Sequence, residues 1–485
     1  MLRTLVTGAA YNIINILVQV LLGLIVFREM LLHFGEKDFG SWTLIFAILA
    51  HISLFEFGLG SLISKLVPVL SGDHAKVNKS YFSTAFFSMS IIAVFFLVLI
   101  AVIALFIEQS TIEFESSISF GALIFLLGVN FVFLFHTGAF HAYLSGSFKI
   151  GRLNAVRLTV NITRALVIIY LLQTGYGVIE VAIVFAFTSV AEFCLLLALS
   201  IRAGIKNSLD VKTCNRESLH YVIKRGSKLL FLRVNSYTRN NAAIIVCGLI
   251  LGPILIVPLR IAGRLMEIYV EISTSLNYLL TPYFSSLSLG EESELNKNFL
   301  ISIVCSTLLS VIIFLNIVCF GNWFLTLWLG DVPKYTNEIL HLLAIGFCLA
   351  NSQGPCNSIL ISKDKDKALM LLCITEVVVL LTLLFPATQH FGVTGAAGSV
   401  LISMLVSRVL VQPIIVCNVL NISYLKYLAS ILIPLSICSL SLYLLYEAVM
   451  LLELNSEHLS AISFFILQGL LVASAGIIFF SKRRS

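Results

Sequence analysis

The chain has 485 residues, of which 59% are hydrophobic and 12% charged, about half the charged share of a soluble globular protein. With a mean hydropathy of +1.02, this composition excludes a soluble enzyme, a secreted disulfide scaffold and a disordered regulator. The net charge of +6 suggests nucleic acid until the basic residues are located. They sit in short loops between apolar runs, so they report membrane topology, and no nucleic-acid partner is expected.

A helix needs about 20 apolar residues to cross a bilayer. Fourteen such runs follow one another, at about 9–32, 40–64, 81–107, 118–141, 157–173, 178–201, 229–250, 256–282, 298–321, 337–361, 368–386, 393–417, 427–448 and 460–481. The first is too long for the core of a signal peptide and is read as an uncleaved span. With the N-terminus inside, 22 Lys and Arg fall in inside segments and only Lys37 and Lys334 outside. This bias predicts an all-α, multi-pass membrane protein with both termini in the cytoplasm. Outside segments are acidic or neutral, as at Glu108, Glu113, Glu115, Glu453 and Glu457.

Several features recur at an offset near 215: Gly35 with Gly252, Pro68 with Pro282, the basic loop SGSFKIGR with SKDKDK, and the turn at Gly175-Tyr176-Gly177 with Phe391-Gly392-Val393. Six spans per repeat is an even number, so the halves share one orientation, a transporter layout. The predicted organisation is two pseudo-symmetric six-helix lobes, 1–212 and 213–425, followed by two C-terminal helices in 426–485.

Ten cysteines occur, all after residue 190 and none in a CxxC pair. Cys247, Cys305, Cys348 and Cys438 fall inside apolar runs and read as small buried residues. No disulfide, metal site or cofactor is expected.

Function is expected where charge enters the membrane, because an ionisable residue there costs a few kcal/mol and tends to face a cavity or a partner. The candidates are Arg28, Glu29, Glu56, Arg164, Glu192, Arg233, Arg239, Arg260, Arg264, Glu267, Glu271, Glu376 and Arg408; for each, a buried structural ion pair is the alternative. In span eight, Arg260, Arg264, Glu267 and Glu271 share one helical face, with local pairing of Arg264 by Glu267 as the plainer account. Polar stripes continue the pattern: Asn12, Asn15 and Gln19 in span one; Asn130, Thr137 and His141 in span four; Arg157, Asn161 and Arg164 in span five; Asn235, Arg239, Asn240 and Asn241 in span seven. Span ten is interrupted at Asn351-Ser352-Gln353-Gly354-Pro355, where proline removes a backbone donor. Glu192 and Arg408 fall near equivalent positions of the repeats, and all six Asp are placed in loops. Stripes in both halves predict a polar cavity between two lobes.

Seven intramembrane Arg and no intramembrane Lys suit bidentate capture of phosphate or pyrophosphate. The head-group candidates are therefore Arg28, Arg164, Arg233, Arg239, Arg260, Arg264 and Arg408. The ion-coupling candidates are Glu56, Glu192, Glu267, Glu271 and Glu376. The polar cavity lining is assigned to Asn12, Asn15, Gln19, Asn240, Asn351 and Gln353. No GxxxxGK[ST] or HExxH sequence is present, and the outside loops are too short for an ordered catalytic segment, so no enzyme is expected.

The order Tyr11-Asn12, Phe27-Arg28, Phe34-Gly35, Phe39-Gly40-Ser41-Trp42 and Phe55-Glu56-Phe57-Gly58-Leu59-Gly60 resembles the polysaccharide-transport branch of the MOP exporter superfamily. That branch includes Wzx-type O-antigen flippases. Trp328-Leu329-Gly330 and Gly392–Gly395 are also similar to it, and the resemblance spans essentially the whole chain. It implies a MOP/MATE-like fold in the bacterial inner membrane. It further implies a flippase that moves an undecaprenyl-pyrophosphate-linked oligosaccharide, such as a lipopolysaccharide O-antigen unit, to the periplasmic leaflet by alternating access. The lipid-linked substrate, the bilayer and a polysaccharide polymerase or ligase are the implied partners. By resemblance, Arg28 and the charges of spans seven and eight fall at head-group contacts, and spans thirteen and fourteen form a groove for the lipid tail. The mechanism expected is that Arg239, Arg260 and Arg264 hold pyrophosphate while Glu267, Glu271 or Glu56 exchange protons. A MATE-like proton- or cation-coupled drug antiporter is the rival reading.

Overall fold

A bilayer core offers no water to backbone N–H and C=O groups, so an apolar run crosses as a helix that satisfies them internally. The computed structural model is helical in every regular element among the described residues. It describes residues 2–56, 59–70, 75–109, 119–277, 280–287 and 292–451; within these, the side chains of 2–17, 225–233 and some isolated positions are not described. By packing, the chain divides into two units, Met1–Val257 and Pro258–Ser485.

In the first unit, α1 (Leu2–Ala50) carries spans one and two in a single run broken at Gly35, whose φ of 72° and ψ of 169° leave the helical region. Sequence spacing placed Asp38 in a loop. It is helical instead, because the break is confined to Gly35. A 3₁₀ turn, His51–Glu56, leads to α2 (Leu59–Leu66). There follow α3 (Ala75–Gln109), α4 (Phe120–Gly146), α5 (Ile150–Gln173), α6 (Val178–Arg202) and α7 (Arg216–Leu251). Helix α4 packs against α2, α3 and α6 and buries Leu123, Leu127, Ala139 and Phe140. Ile91, Val94, Phe95, Val98, Val102 and Phe106 of α3 are exposed. Outward apolar side chains on a helix of 35 residues suit contact with lipid.

The FGxW sequence has a packing reason. A Cβ added at Gly40 would overlap the carbonyl oxygen of Pro253, so the α1 backbone approaches the turn after α7 as closely as a residue without a side chain allows. Trp42 is buried between the rings of Phe34 and Phe185.

In the second unit, α8 (Val257–Asn277) and α9 (Leu280–Leu287) precede α10 (Glu292–Leu329), α11 (Thr336–Ser352), α12 (Gly354–Ser362) and α13 (Asp366–Met404). Asp366, also expected in a loop, opens α13, where a carboxylate complements the helix N-terminus. A π-helical segment, Leu405–Val411, joins α13 to α14 (Gln412–Leu420), and α15 (Tyr424–Leu451) closes the described chain. Helix α10 packs on α11 and α15, and α11 on α13. The interruption expected in span ten is present, with α11 ending at Ser352 and α12 beginning at Gly354.

When α1 and α13 are each counted twice for their breaks at Gly35 and Gly392, the helices account for the first thirteen predicted spans. The fourteenth, 460–481, lies outside the described residues. The described residues are thus those of a multi-pass α-helical membrane protein.

The backbone also carries the repeat. Left-handed residues occur at Gly35 and Gly252, Phe148 and Asp364, Gly175 and Gly392, and Gly204 and Asn421. The partners in each pair are separated by 216 or 217 residues, which refines the offset read from sequence. Left-handed backbone is unfavourable for most L-residues, so its recurrence at one spacing marks corresponding turns.

Candidate functional site

The charges of α8 form the first cluster. One carboxylate, Glu267, sits between two guanidiniums: Arg260 Nη1 donates to Glu267 Oε1 at 2.6 Å and Arg264 Nη1 donates to Oε2 at 2.8 Å. The spacing i, i+4, i+7 makes this possible, since residues three, four and seven apart stack on one helix face. The opposite face is anchored by buried Ile261, Met266 and Tyr269, and the Tyr269 hydroxyl donates to the Ser310 carbonyl at 2.8 Å. The side chains of Arg260, Arg264 and Glu267 remain 22%, 19% and 27% exposed. Glu267 thus engages both arginines, where local pairing had been expected to involve Arg264 alone. Glu271 lies one turn on, is exposed, and makes no ion pair among the described residues.

A second cluster lies in the first unit. Arg164 of α5 donates through Nε to Thr188 Oγ1 at 2.7 Å and through Nη2 to Ser189 Oγ at 3.3 Å, with its guanidinium 5.2 Å from the centre of the Phe185 ring. Ser189 donates to Asn130 Oδ1 of α4 at 2.5 Å. Glu192 of α6 is buried and lies 3.9 Å from Nε2 of His141. The polar stripes of spans four and five therefore meet on α6.

The third cluster is enclosed in the second unit. Arg408 Nη2 is 3.3 Å from Glu376 Oε2, with side chains 10% and 0% exposed. Arg408 Nη1 also donates to Gln412 Oε1 at 2.7 Å and to Asn357 Oδ1 at 3.4 Å. Gln412 Nε2 donates to the Gln353 carbonyl at 3.2 Å, and Tyr427 donates to Gln353 Oε1 at 2.7 Å. Arg408 sits within the π-helical segment, a rare local geometry frequent at functional sites. Pro413 follows it and has no N–H for the carbonyl four residues earlier. Sequence reading missed Thr188, Ser189, Asn357, Gln412 and Tyr427. Gln412 was detectable as the i+4 neighbour of Arg408; Tyr427 was not, because only the fold brings α15 to the break in span ten.

The remaining candidates are dispersed. Arg28 donates to the adjacent Glu29 at 3.2 Å and is 43% exposed. Glu56 accepts from the Gly60 N–H at 3.1 Å and so satisfies a free backbone donor at the start of α2. Gln19 and Arg239 are partly buried, Asn240 is exposed, and Asn351 lies near Tyr269. Asn12, Asn15 and Arg233 lie outside the described side chains. Among the described residues no group of His, Cys, Asp or Glu has a metal-holding arrangement.

The fold has relatives among solved structures. The inward closed conformation of the lipid II flippase MurJ matches with a TM-score of 0.73 at 16% identity, over 98% of this chain and 100% of that one. An inward-facing multidrug resistance MATE family transporter of the MOP superfamily matches with a TM-score of 0.69 at 13% identity, over 83% and 95%. A MOP superfamily transporter from Pyrococcus furiosus with a reversed-polarity binding pocket matches at 0.61 and 14%, over 86% and 95%. No curated protein matches the chain at a significant level. The family model described as polysaccharide biosynthesis protein matches residues 34–336, more than half of the chain and inclusive of α2 to α10 and the α8 charge cluster. The chain belongs to the polysaccharide biosynthesis protein family and has the fold of the MOP superfamily.

Proposed function

We propose that this protein is a flippase that moves an undecaprenyl-pyrophosphate-linked oligosaccharide, an O-antigen or similar surface polysaccharide unit, across the bacterial inner membrane by alternating access. The observation that carries the reading is the pair of partly exposed guanidiniums, Arg260 and Arg264, on one face of a membrane helix in a polysaccharide biosynthesis protein. Two forked donors side by side suit a pyrophosphate, whose oxygens accept bidentate bonds. A solved relative of the same fold is named a lipid II flippase, and a lipid-linked glycan is the cargo proposed here by extension.

In this reading Arg260 and Arg264 of the second unit hold the pyrophosphate; Arg28, Arg233 and Arg239 of the first unit are separate head-group candidates. Arg164 and Arg408 are held by buried polar partners and serve mainly to fix their helices. The coupling role falls to Glu267 and Glu271, the accessible carboxyls, with Glu56, Glu192 and Glu376 in tighter settings. Gln19, Asn240, Asn351 and Gln353, with Asn12 and Asn15, would offer polar contacts to the sugars. Both termini face the cytoplasm, and the flipped glycan passes to a polymerase or ligase. The chain works as a transporter and not as an enzyme.

The test is the sidedness of lipid-linked oligosaccharide in cells depleted of the protein, read with a non-permeant label. Accumulation on the cytoplasmic leaflet, reversed by re-expression, is the expected result. Normal periplasmic exposure together with altered drug efflux would replace this reading with that of a MATE-like antiporter.

A further inference from the structure

Glu267 uses both carboxylate oxygens, one on each arginine, at 2.6 and 2.8 Å. It therefore occupies the place that an anionic ligand of Arg260 and Arg264 would take. Two guanidiniums carry two positive charges and one carboxylate returns a single negative charge, so the three groups keep a net positive charge. Each guanidinium has five N–H donors in a fixed fork, and a carboxylate at the shared point satisfies only a few of them. A doubly charged pyrophosphate would balance both arginines and offer more acceptor oxygens. The three side chains are about a fifth to a quarter exposed, unlike the enclosed Arg408–Glu376 pair, so a ligand can reach this cluster without dismantling a core.

We propose that Glu267 is a built-in competitor for the head group: its carboxylate bonds Arg260 and Arg264 and is displaced when pyrophosphate binds them. This rests on the arginine cradle of the flippase reading and adds a consequence for affinity. A carboxylate that must be expelled weakens binding, so the site loads its cargo without trapping it. It also selects by charge, because a singly charged anion gains little by exchanging with a carboxylate already in place.

The experiment measures binding of inorganic pyrophosphate to the full-length, detergent-purified protein by calorimetry at neutral pH. Glu267→Gln removes the competing charge and keeps the side-chain shape. It is expected to bind about tenfold more tightly, the equivalent of one charge-assisted hydrogen bond. Glu267→Ala should also bind more tightly than the parent, and Glu294→Gln, at an exposed carboxyl in the first turn of α10 outside the site, should bind as the parent does. Arg260→Ala or Arg264→Ala in the Glu267→Gln background should remove the gain. Unchanged or weaker binding in both Glu267 variants overturns the proposal, since the carboxylate would then orient the arginines and not compete for them. The flippase cradle fails separately, if Arg260→Ala and Arg264→Ala cells keep normal surface polysaccharide at normal protein levels.

Discussion

Glu192 and Arg408 stand 216 residues apart, and each faces a side chain at a position that is also repeated: His141 lies 3.9 Å from Glu192, and Asn357 lies 3.4 Å from Arg408. His141 and Asn357 are themselves separated by 216 residues. The same helix-to-helix contact, span four to six and span ten to twelve, thus recurs with its charge inverted. The first copy joins an acid to an ionisable ring. The second joins a permanent cation to an amide and adds the buried acid Glu376.

The enclosed pair should be the more fragile under single substitution. Replacing either Glu376 or Arg408 with Leu leaves the other charge buried, at an expected cost of about 3–5 kcal/mol. The double replacement should recover most of the loss. Thermal unfolding of the purified protein in detergent, compared across the cycle, measures this coupling.

Accessible arginines should behave differently. Arg260→Ala and Arg264→Ala are expected to leave protein levels and unfolding midpoints near the parent while surface polysaccharide falls sharply. Arg→Lys at either position should restore only part of it, because an ammonium lacks the planar fork. Quantifying surface glycan against protein level in a complemented deletion strain checks both statements.

Close packing predicts the outcome at Gly40. Gly40→Ala forces a methyl group into the Pro253 carbonyl, and an overpacked contact of this kind costs about 1–3 kcal/mol. Gly35→Ala has open space around it but keeps a φ of 72° with a ψ of 169°, a region that essentially only glycine adopts, so its penalty is conformational, about 1–3 kcal/mol. Unfolding midpoints of the two variants should both fall, and no side-chain change at Pro253 should relieve Gly40→Ala, because the atoms it meets are backbone.

The segment between α6 and α7 is clasped to α3. Ser80 Oγ lies 2.6 Å from both the Thr213 carbonyl and Ser218 Oγ, Ser83 accepts from the Asp210 N–H at 3.0 Å, and the rings of Tyr81 and Tyr221 stack at 3.9 Å. Ser80→Ala with Tyr81→Ala should raise proteolytic cleavage of residues 205–215 in inverted vesicles by about fivefold, as expected for the loss of roughly 1 kcal/mol of local stability.

Topology has a direct check. In a cysteine-free background, Lys334→Cys should react with an impermeant thiol reagent in intact spheroplasts. Lys365→Cys should react only after permeabilisation. Reversed labelling would overturn the orientation read from the basic residues.

Sequence alone determined the architecture. Hydrophobic runs must become helices in a bilayer because backbone groups there have no other partners. That requirement is local, so thirteen predicted spans correspond to the described helices. Glycine turns were legible for the same reason: a left-handed backbone is a property of one residue. The charge stripe of α8 was also legible, because its members are neighbours on one helix. Tertiary structure decided which charges are spent. Nothing in the spacing shows that Glu267 takes two arginines, that Arg408 is enclosed by residues from three other helices, or that Glu56 accepts from the N–H of Gly60. Those outcomes depend on side-chain reach and on which helices pack together, and a single periodic sequence carries no direct record of either.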